Sequence, residues 1–400
     1  MRIVLTGGGS GGHLTPLEPI IDALRLQFRE YRGRLPVWID RERLDIYFLG
    51  ILDAEGEKFF TRLGVKAFNI PSGKLRRYPS TLTISDFLFR LPLGLLKALW
   101  RMWVIMPDAV VSKGGYGSLP ASLAAAYYRV PFLLHESDAL SGLTNRWLAP
   151  LATVITVGYV ATRHGAERYK QKTVVTGIPV RAELFREEQT AAKKRFGFSP
   201  DELVLLVMGG SQGAEQLNRA VLESLPSLLT EVGILHLTGP RHLENVRAAA
   251  QERMAHISRP HPYRTFGYLS DTIGQAIIAA DAVVTRAGAT ALAEMAYARK
   301  AIVIVPLASA AQDHQRQNAA VFEAAEAAVV VSPENLGRAL LVQSVRTVLF
   351  NKPIRTTLIK NIGTLSHPRA AHDIAALTFK LAVGLAPIQP AVDAGPPSAS

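Results

Sequence analysis

The sequence predicts an α/β protein made of two Rossmann-like domains, each a parallel sheet with helices on both faces. The chain of 400 residues exceeds one ordinary domain and suffices for two. A strand, a glycine turn and a helix-like stretch open the chain, and the same pattern opens again at Leu203. Apolar segments of strand length alternate with helix-like stretches in both halves, which is typical of βα units.

The first half begins with the apolar strand MRIVLTGGG, which runs into a glycine turn. The amphipathic residues 15–28 predict the helix that follows, because their apolar positions recur at helical spacing. Further strands are predicted at residues 46–49, 109–112 and 132–135, each followed by a helix-like stretch.

The second half repeats this plan from LVLLVMGGSQGAEQLNRAVLESL, which starts at Leu203. Later strands are predicted at residues 233–237, 282–285 and 301–305. We therefore expect a first domain over residues 1–160 and a second over 161–365. A helix within 366–385 is expected to return to the first domain, and the tail 386–400, rich in Pro, Ala and Ser, is expected to be disordered.

Composition restricts the functional class. A hydrophobic share of 48% with 20% charged residues is that of a folded globular chain. The absence of cysteine excludes disulfides and cysteine-ligated metals, and the start of the chain lacks the pattern of a secretory signal, so we expect a cytoplasmic protein. A formal net charge of +12 predicts an anionic partner: nucleic acid, acidic lipid or a phosphorylated substrate.

A basic and aromatic region lies between residues 74 and 103. Its basic residues interrupt the best apolar window, so no stretch reaches the roughly 18 uncharged apolar residues of a spanning helix. The mixture indicates contact with an anionic bilayer surface, although a core helix with basic residues facing water fits it equally. The residues concerned are Lys74, Arg76, Arg77, Arg90, Lys97 and Arg101, with Phe87, Phe89, Trp100 and Trp103 among them.

The first glycine turn, GGGSGGH at residues 7–13, satisfies the dinucleotide-binding spacing. A nicotinamide or flavin enzyme is thus one interpretation, but no acid closes a second strand at the usual distance. A glycine loop at a helix start also binds phosphate or sugar oxygens through backbone N–H groups. His13 beside it is a candidate general base, and a capping histidine is the plainer alternative.

Four features of the second half fit a nucleotide-diphosphate sugar. The turn GGSQGA at residues 209–214 provides Ser211 and backbone amides for a diphosphate. Arg181 is a candidate cation for the diphosphate leaving group; the alternative is that it only forms a surface salt bridge. The stretch TRAGATALAE ends in Glu294, whose carboxylate can accept ribose hydroxyls, and QDHQRQN at residues 312–318 offers amides to a sugar. The chain has no Asp-x-Asp pair, so we expect a site without metal.

In their joint order these motifs resemble the MurG family, bacterial enzymes that add N-acetylglucosamine to the lipid-linked muramoyl pentapeptide called lipid I and so make lipid II. The likeness covers roughly residues 1–380. The motifs that carry it are GGGSGGH at Gly7, SKGGYGSLP at Ser112, HESDALSGLTNRWLA at His135, TGIPVR at Thr176, GGSQGA at Gly209, TRAGATALAE at Thr285 and DHQRQN at Asp313.

The resemblance implies a GT-B fold, two Rossmann-like domains facing across a cleft, with UDP-N-acetylglucosamine bound by the second domain and lipid I mainly by the first. It implies an inverting hexosyltransferase that needs no cofactor and binds no nucleic acid. It also implies that the enzyme binds the cytoplasmic face of the bacterial membrane through the basic and aromatic region. His13 would be the base. The other implied contacts are Ser10, Gly11, Gly12 and Asp138 near the reacting sugar, Arg181 and Ser211 on the diphosphate, Gly267 on the uracil, Ala289, Thr290, Ala291, Leu292 and Ala293 against the phosphates, Glu294 on the ribose, and Gln315 on the sugar.

The chain departs from the family pattern at two positions after His135. Where the family has His-Glu-Gln-Asn, this sequence has Ser137 and Asp138, so a potential anion replaces a neutral amide. Altered sugar recognition is one consequence. A transferase for another lipid acceptor and a scaffold homologue without activity are alternatives that the sequence leaves open.

Overall fold

The computed structural model describes residues 1–8, 14–73, 86–165, 167–210, 213–258, 260–307 and 313–385. The chain forms two compact units. One is Met1–Pro179 together with the C-terminal segment that begins at Arg369, and the other is Val180–Pro368. The predicted class, two parallel-sheet α/β domains, is confirmed.

The first unit is built on a seven-stranded parallel sheet in the order β3-β2-β1-β4-β5-β6-β7. Its strands are β1 (Arg2–Gly7), β2 (Asp45–Gly50), β3 (Lys66–Asn69), β4 (Ala109–Ser112), β5 (Phe132–Glu136), β6 (Val154–Val157) and β7 (Thr173–Val175). The helices between them are α1 (Leu17–Tyr31), α2 (Ala54–Arg62), α3 (Leu91–Ile105), α4 (Leu119–Tyr127), α5 (Leu143–Leu148) and α6 (Val160–Gly165).

Strand β1 shows why this sheet has helices on both faces. Ile3 and Leu5 belong to one apolar cluster, whereas Val4 between them belongs to another. Successive side chains of a strand point to opposite faces, so a continuous apolar run must be covered on both sides. The unbroken apolar run of the sequence therefore determines the layer order.

The second unit is built on a six-stranded parallel sheet in the order β10-β9-β8-β11-β12-β13. Its strands are β8 (Val204–Met208), β9 (Gly233–Leu237), β10 (Tyr263–Phe266), β11 (Ala282–Thr285), β12 (Ala301–Ile304) and β13 (Val329–Val330). Its helices are α7 (Gln189–Arg195), α8 (Glu215–Leu228), α9 (Leu243–Met254), α10 (Ile273–Ala279), α11 (Ala289–Tyr297), α12 (Asp313–Ala324), α13 (Arg338–Phe350) and α14 (Lys352–Thr364).

The boundary between the units differs from the expected position at residue 160. Strand β7 pairs with β6 and so belongs to the first sheet, which moves the boundary to Pro179. After Pro368 the chain re-enters the first unit as α15 (Ala370–Ala382), which packs on α1. The buried amide of Gln27 donates to the carbonyl of His372 at 2.9 Å and ties the two helices together. The tail 386–400, expected to be disordered, lies outside the described residues.

Candidate functional site

Three loops of the second unit meet at the carboxyl edge of its sheet, and Arg286 joins them. Arg286 follows β11, and its guanidinium donates through Nη1 to the carbonyl of Gly213, in the loop after β8, at 3.4 Å. Its Nε donates to Oε1 of Gln315, on the helix after β12, at 3.4 Å. The carboxyl ends of parallel strands are where ligands bind in open α/β sheets. Sequence reasoning did not single out Arg286, although it lies inside the TRAGATALAE motif.

Gln315 has its amide oriented by two donors. Besides Arg286, the backbone N–H of Leu307 donates to Oε1 at 3.0 Å. A carbonyl oxygen has two lone pairs, so both are used and the amide nitrogen is the group that Gln315 can offer to a ligand. This geometry fits a donor to a sugar hydroxyl or carbonyl.

Helix α11 begins with small residues directly after this loop. Asn318, buried on α12, donates to the carbonyl of Ala287 at 3.0 Å and fixes the turn. Gly288 precedes the helix, and no described heavy atom lies within 4 Å of the position that a Cβ would take there. The first backbone N–H groups of a helix attract anions, so this open turn suits a phosphate. The predicted contacts Ala289, Thr290, Ala291, Leu292 and Ala293 are all in the first turns of α11.

Glu294 and Arg181 form a buried pair within the second unit. Arg181 Nη2 lies 4.0 Å from Glu294 Oε1, and each residue is only 7% exposed. Burial raises the pKa of Glu294 to about 7, against the opposing effect of the Arg181 charge. The pair thus places a cation, which can bind a phosphate, beside a carboxyl group, which can accept hydrogen bonds from hydroxyls.

Arg181 is held in place by the turn that follows it. Residues Ala182–Phe185 form a single 3-10 turn that packs on α10. A Cβ on Gly274 of that helix would lie 2.2 Å from the carbonyl oxygen of Leu184, so only glycine permits this approach.

Gly267, the predicted uracil contact, follows β10. The N–H of Thr238 at the end of β9 donates to the carbonyl of Phe266 at 3.0 Å, which holds the two strand ends side by side. A Cβ on Gly267 would lie 3.1 Å from Cα of Pro240. The backbone at Gly267 is thus closely packed at the same edge as the other loops of the second sheet.

In the first unit, residues at the carboxyl ends of β4 and β5 form a buried polar network. The register that pairs Ser112 with Leu134 places Lys113 beside His135. The Lys113 ammonium donates to Ser137 Oγ, which lies 3.2 Å from His135 Nε2. Asp138, a predicted substrate contact, follows directly and is half-buried. Lys113 lies inside the SKGGYGSLP motif, but the sequence alone assigns it no role.

Several predicted residues lie outside the described part of the chain. They are Ser10, Gly11, Gly12 and His13 of the first glycine loop, Ser211 of the second, and Lys74, Arg76 and Arg77 of the basic region. Just before the first glycine loop, the backbone of Gly117 packs closely against the end of β1: a Cβ on Gly117 would lie 2.8 Å from the carbonyl oxygen of Gly7. In the part of the chain that the structure describes, no three His, Asp or Glu side chains are grouped as metal ligands.

Helix α3 carries the described part of the basic and aromatic region. Its buried face packs on α4, while Trp100 and Trp103 are 56% and 66% exposed on the other face. Leu93, Leu96 and Val104 are exposed as well. The Arg101 guanidinium lies 4.7 Å from the Trp100 ring centroid, and Lys97 is exposed. Among the described helices, none has both the length and the apolar character that a membrane crossing needs.

Two protein-family models match this chain. Residues 3–157 match the model of the glycosyltransferase family 28 N-terminal domain, and residues 204–374 match that of its C-terminal domain. A relative from Lachnoclostridium phytofermentans is 33% identical over 361 residues, covering 90% of this chain and 94% of its own. One from Desulforamulus reducens is 30% identical over 398 residues, covering 94% and 97%. Both are named UDP-N-acetylglucosamine--N-acetylmuramyl-(pentapeptide) pyrophosphoryl-undecaprenol N-acetylglucosamine transferase.

Solved structures show the same fold. The crystal structure of Acinetobacter baumannii MurG matches with a TM-score of 0.69 at 24% identity, covering 95% of this chain and 99% of that one. A UDP co-structure of S. aureus MnaA matches with a TM-score of 0.66 at 12% identity, covering 98% and 99%. These likenesses extend over nearly the whole chain and confirm the GT-B fold class.

Proposed function

We propose that this chain, which belongs to glycosyltransferase family 28, moves N-acetylglucosamine from UDP-N-acetylglucosamine to the 4-hydroxyl of the muramoyl sugar of lipid I, giving lipid II for peptidoglycan. The relatives named for this reaction share about a third of their residues over 90% of the chain. The structural observation that carries the proposal is the convergence on Arg286 of three loops at the edge of the second sheet, with the buried Arg181 and Glu294 in the same unit.

The donor is proposed to bind to the second unit. Glu294 accepts the ribose hydroxyls, Gln315 binds the sugar through its amide, and the backbone at Gly267 contacts the uracil. The diphosphate accepts hydrogen bonds from the backbone N–H groups at the start of α11 and also contacts Arg181 and Ser211. In support, the α11 turn is open and preceded by glycine, and Arg181 lies 4.0 Å from Glu294.

The reaction is a single displacement with inversion at the anomeric carbon. His13, predicted from sequence as the base, takes the proton of the acceptor 4-hydroxyl as its oxygen attacks C1. The bond from C1 to the diphosphate breaks, and its electron pair leaves with UDP. The Arg181 guanidinium and the backbone N–H groups of α11 stabilise the charge of the departing diphosphate, so no metal is required in that role.

The direct test is UDP release with lipid I and a panel of UDP-sugars. We expect release that depends on lipid I and is fastest with UDP-N-acetylglucosamine, together with lipid II as product. Donor binding without UDP release would instead favour the scaffold homologue. Turnover with diacylglycerol in place of lipid I would favour a transferase for another lipid.

We further propose that the exposed face of α3 holds the enzyme on the anionic cytoplasmic face of the bacterial membrane. Exposed indole rings beside basic side chains suit the headgroup region, where rings enter the interface and cations meet lipid phosphates. Arg90, Lys97 and Arg101 supply the charge among the described residues, and Lys74, Arg76 and Arg77 belong to the same predicted patch. Lipid I is anchored in that surface, so docking there brings enzyme and acceptor together.

Replacing both Trp100 and Trp103 with serine is expected to weaken binding to anionic vesicles about thirtyfold, since each ring that inserts about 50 Å² of apolar surface contributes about 1 kcal/mol. Vesicle sedimentation measures this, and donor affinity should stay unchanged. Trp38→Ser is the matched control, because Trp38 is 74% exposed in the same unit but outside α3. Equal loss in the control, or none in the double variant, contradicts the proposed patch.

The raised pKa of Glu294 predicts a pH-dependent donor affinity. An ionised carboxylate accepts from both ribose hydroxyls, whereas the protonated acid has lost part of that capacity. We expect the KM for UDP-N-acetylglucosamine to rise as the pH falls through about 7. Glu294→Gln should remove this dependence, and an unchanged pH profile in that variant would contradict the assignment.

The same group also links pH to stability. In the native protein without donor, the pKa of Glu294 lies at about 7, above the ordinary value of 4.5. The native state therefore holds the proton more tightly, and the stability this contributes is present below the ordinary pKa and lost as the pH rises through about 7. The free energy of unfolding of the wild type, relative to Glu294→Gln, should fall across this window in urea titrations.

A further inference from the structure

A chain of side-chain hydrogen bonds runs through the interior of the second unit and ends against the turn at residues 209–214. It starts at the hydroxyl of Tyr263 on β10, which lies 2.8 Å from Nδ1 of His236 on β9. Nε2 of His236 lies 3.0 Å from Oδ1 of Asn218 on α8. Asn218 Nδ2 then donates to the carbonyl of Thr238 at 2.9 Å. The last three residues are at most 3% exposed, so the chain is closed to water over most of its length.

The direction of each hydrogen bond follows from the carbonyl at the end of this chain. A carbonyl only accepts, so Asn218 turns its NH₂ group to Thr238 and its oxygen to His236. That oxygen requires a hydrogen on Nε2 of the imidazole. Burial lowers the pKa of His236 to about 3, so the ring is neutral and its Nδ1 accepts from the Tyr263 hydroxyl. His236 therefore accepts from the phenol on one side and orients the Asn218 amide on the other.

The Thr238 carbonyl packs directly against Gly213 of the turn. A Cβ on Gly213 would lie 2.4 Å from that oxygen, and Gly213 has a φ of +80°, which favours glycine. The N–H of Gly213 donates to the carbonyl of Gly210 at 3.0 Å and closes the turn. Its own carbonyl accepts from Arg286 Nη1 at 3.4 Å. Gly213 is thus held between the end of the buried chain and the arginine at the edge of the sheet.

The strand ladder does not supply a partner for the Thr238 carbonyl. The register of β8 with β9 ends at the pair Met208 and Leu237, and Thr238 lies one residue further on. A buried carbonyl needs a hydrogen-bond donor, and the amide of Asn218 is the donor here. If that amide turns away, the strand end has to move to find another donor. Gly213 is in close contact with the same carbonyl, so the turn has to move with it.

We propose that His236 is a positioning residue of the donor site, which acts through Asn218 on the turn at residues 209–214. This rests on the proposed function, in which the turn contacts the diphosphate of the donor. The imidazole, bound to the Tyr263 hydroxyl, holds the Asn218 amide at the angle that keeps the Thr238 carbonyl in place. The backbone N–H groups of the turn are then ordered before the diphosphate arrives, so binding does not have to order them.

The test is a double-mutant cycle in the full chain with two ligands, UDP and uridine. The variants are His236→Leu, Asn218→Leu and both together. We expect each single change to weaken UDP binding about tenfold, because the turn loses its fixed neighbour. The double variant should also lose about tenfold and not the hundredfold product, because both residues act through one carbonyl. Calorimetric titration measures these affinities.

Uridine separates an effect on the turn from an effect on the whole unit. It has no diphosphate, so its affinity, measured by displacement of UDP, should change less than about twofold in all three variants. His236→Gln retains an N–H donor for Asn218 and is expected to keep UDP affinity within about threefold of the wild type. Losses that multiply in the double variant, or equal losses of UDP and uridine affinity, would overturn the proposal.

Val348→Ala is the control for lost stability. Val348 is fully buried on α13, in the core of the same unit, so truncating it lowers the melting temperature without a change next to the turn. Its UDP affinity should match that of the wild type. A loss of UDP affinity that simply follows the fall in melting temperature across all variants would contradict a positioning role.

Circular dichroism and thermal melts show which variants fold. If His236→Leu does not fold, Tyr263→Phe takes its place, because it removes one hydroxyl and with it the donor to Nδ1 of His236. We then expect about threefold weaker UDP binding with unchanged uridine binding, and unchanged UDP binding would refute the role of the chain. Wild-type protein that binds UDP but transfers nothing to lipid I would refute the proposed reaction, while the cycle would still report on His236. Wild-type protein that binds no UDP would overturn both.

Discussion

Replacing Glu294 with alanine is expected to raise the KM for UDP-N-acetylglucosamine several hundredfold. The proposed carboxylate makes two charge-assisted hydrogen bonds to the ribose, and losing both costs about 4 kcal/mol, which corresponds to roughly a thousandfold at most. Glu294 is also the partner of Arg181 at 4.0 Å, so its removal leaves that guanidinium less well fixed. Steady-state kinetics with varied donor, and calorimetric titration with UDP, measure the change.

The control for this prediction is Glu252→Ala. Glu252 is an exposed glutamate on α9 of the same unit, and its loss should leave donor binding unchanged. Glu294→Gln keeps the size and one acceptor oxygen, so an intermediate KM is expected. Thermal melts separate lost binding from lost folding. Wild-type-like KM in a folded Glu294→Ala variant would remove Glu294 from the ribose site.

Replacing Arg181 with alanine is expected to lower kcat about three-hundredfold. A fixed donor aimed at the developing charge of a leaving group contributes about 10²- to 10³-fold to turnover. Arg181 is 7% exposed, so water replaces its charge poorly. The loss should therefore appear mainly in kcat, with a smaller effect on KM, because the leaving-group charge develops in the transition state. Single-turnover UDP release measures the chemical step itself.

Arg186→Ala is the matched control, since Arg186 is an exposed arginine just after the turn that holds Arg181. Its kinetics should match the wild type. In Arg181→Ala the pKa of Glu294 should rise further, because the charge that lowers it is gone. The pH at which donor KM rises should consequently move upward. A large loss of donor affinity with unchanged kcat would contradict the leaving-group role.

The two predictions are coupled through one contact. Mutations of residues in contact rarely have additive effects on free energy. The Arg181→Ala and Glu294→Ala double variant should therefore lose less kcat/KM than the product of the two single-variant losses. Strict additivity would indicate that the two side chains act on the donor independently.

The loops that follow the first strand of each sheet, and the start of α11, could be located from the sequence because their signals are local. Glycine turns after apolar strands predicted where the loops of β1 and β8 begin, and the small-residue stretch before Glu294 predicted the start of α11. Five strands were not predicted: the edge strands β3, β7, β10 and β13 and the internal strand β6. The edge strands are short and mostly half-buried or exposed, so their apolar signal is weak and only pairing with a neighbouring strand defines them, whereas β6 is buried but only four residues long.

The sequence by itself determined the fold class and the order of the motifs along the chain, because these follow from apolar periodicity and glycine placement. Only the tertiary structure decided which distant residues share an environment: Arg286 with Gly213 and Gln315, and Lys113 with Ser137. The physical reason is that strand register and burial are set by contacts between segments far apart in sequence. Burial then changes what a charged side chain does, as the pKa of Glu294 at about 7 shows.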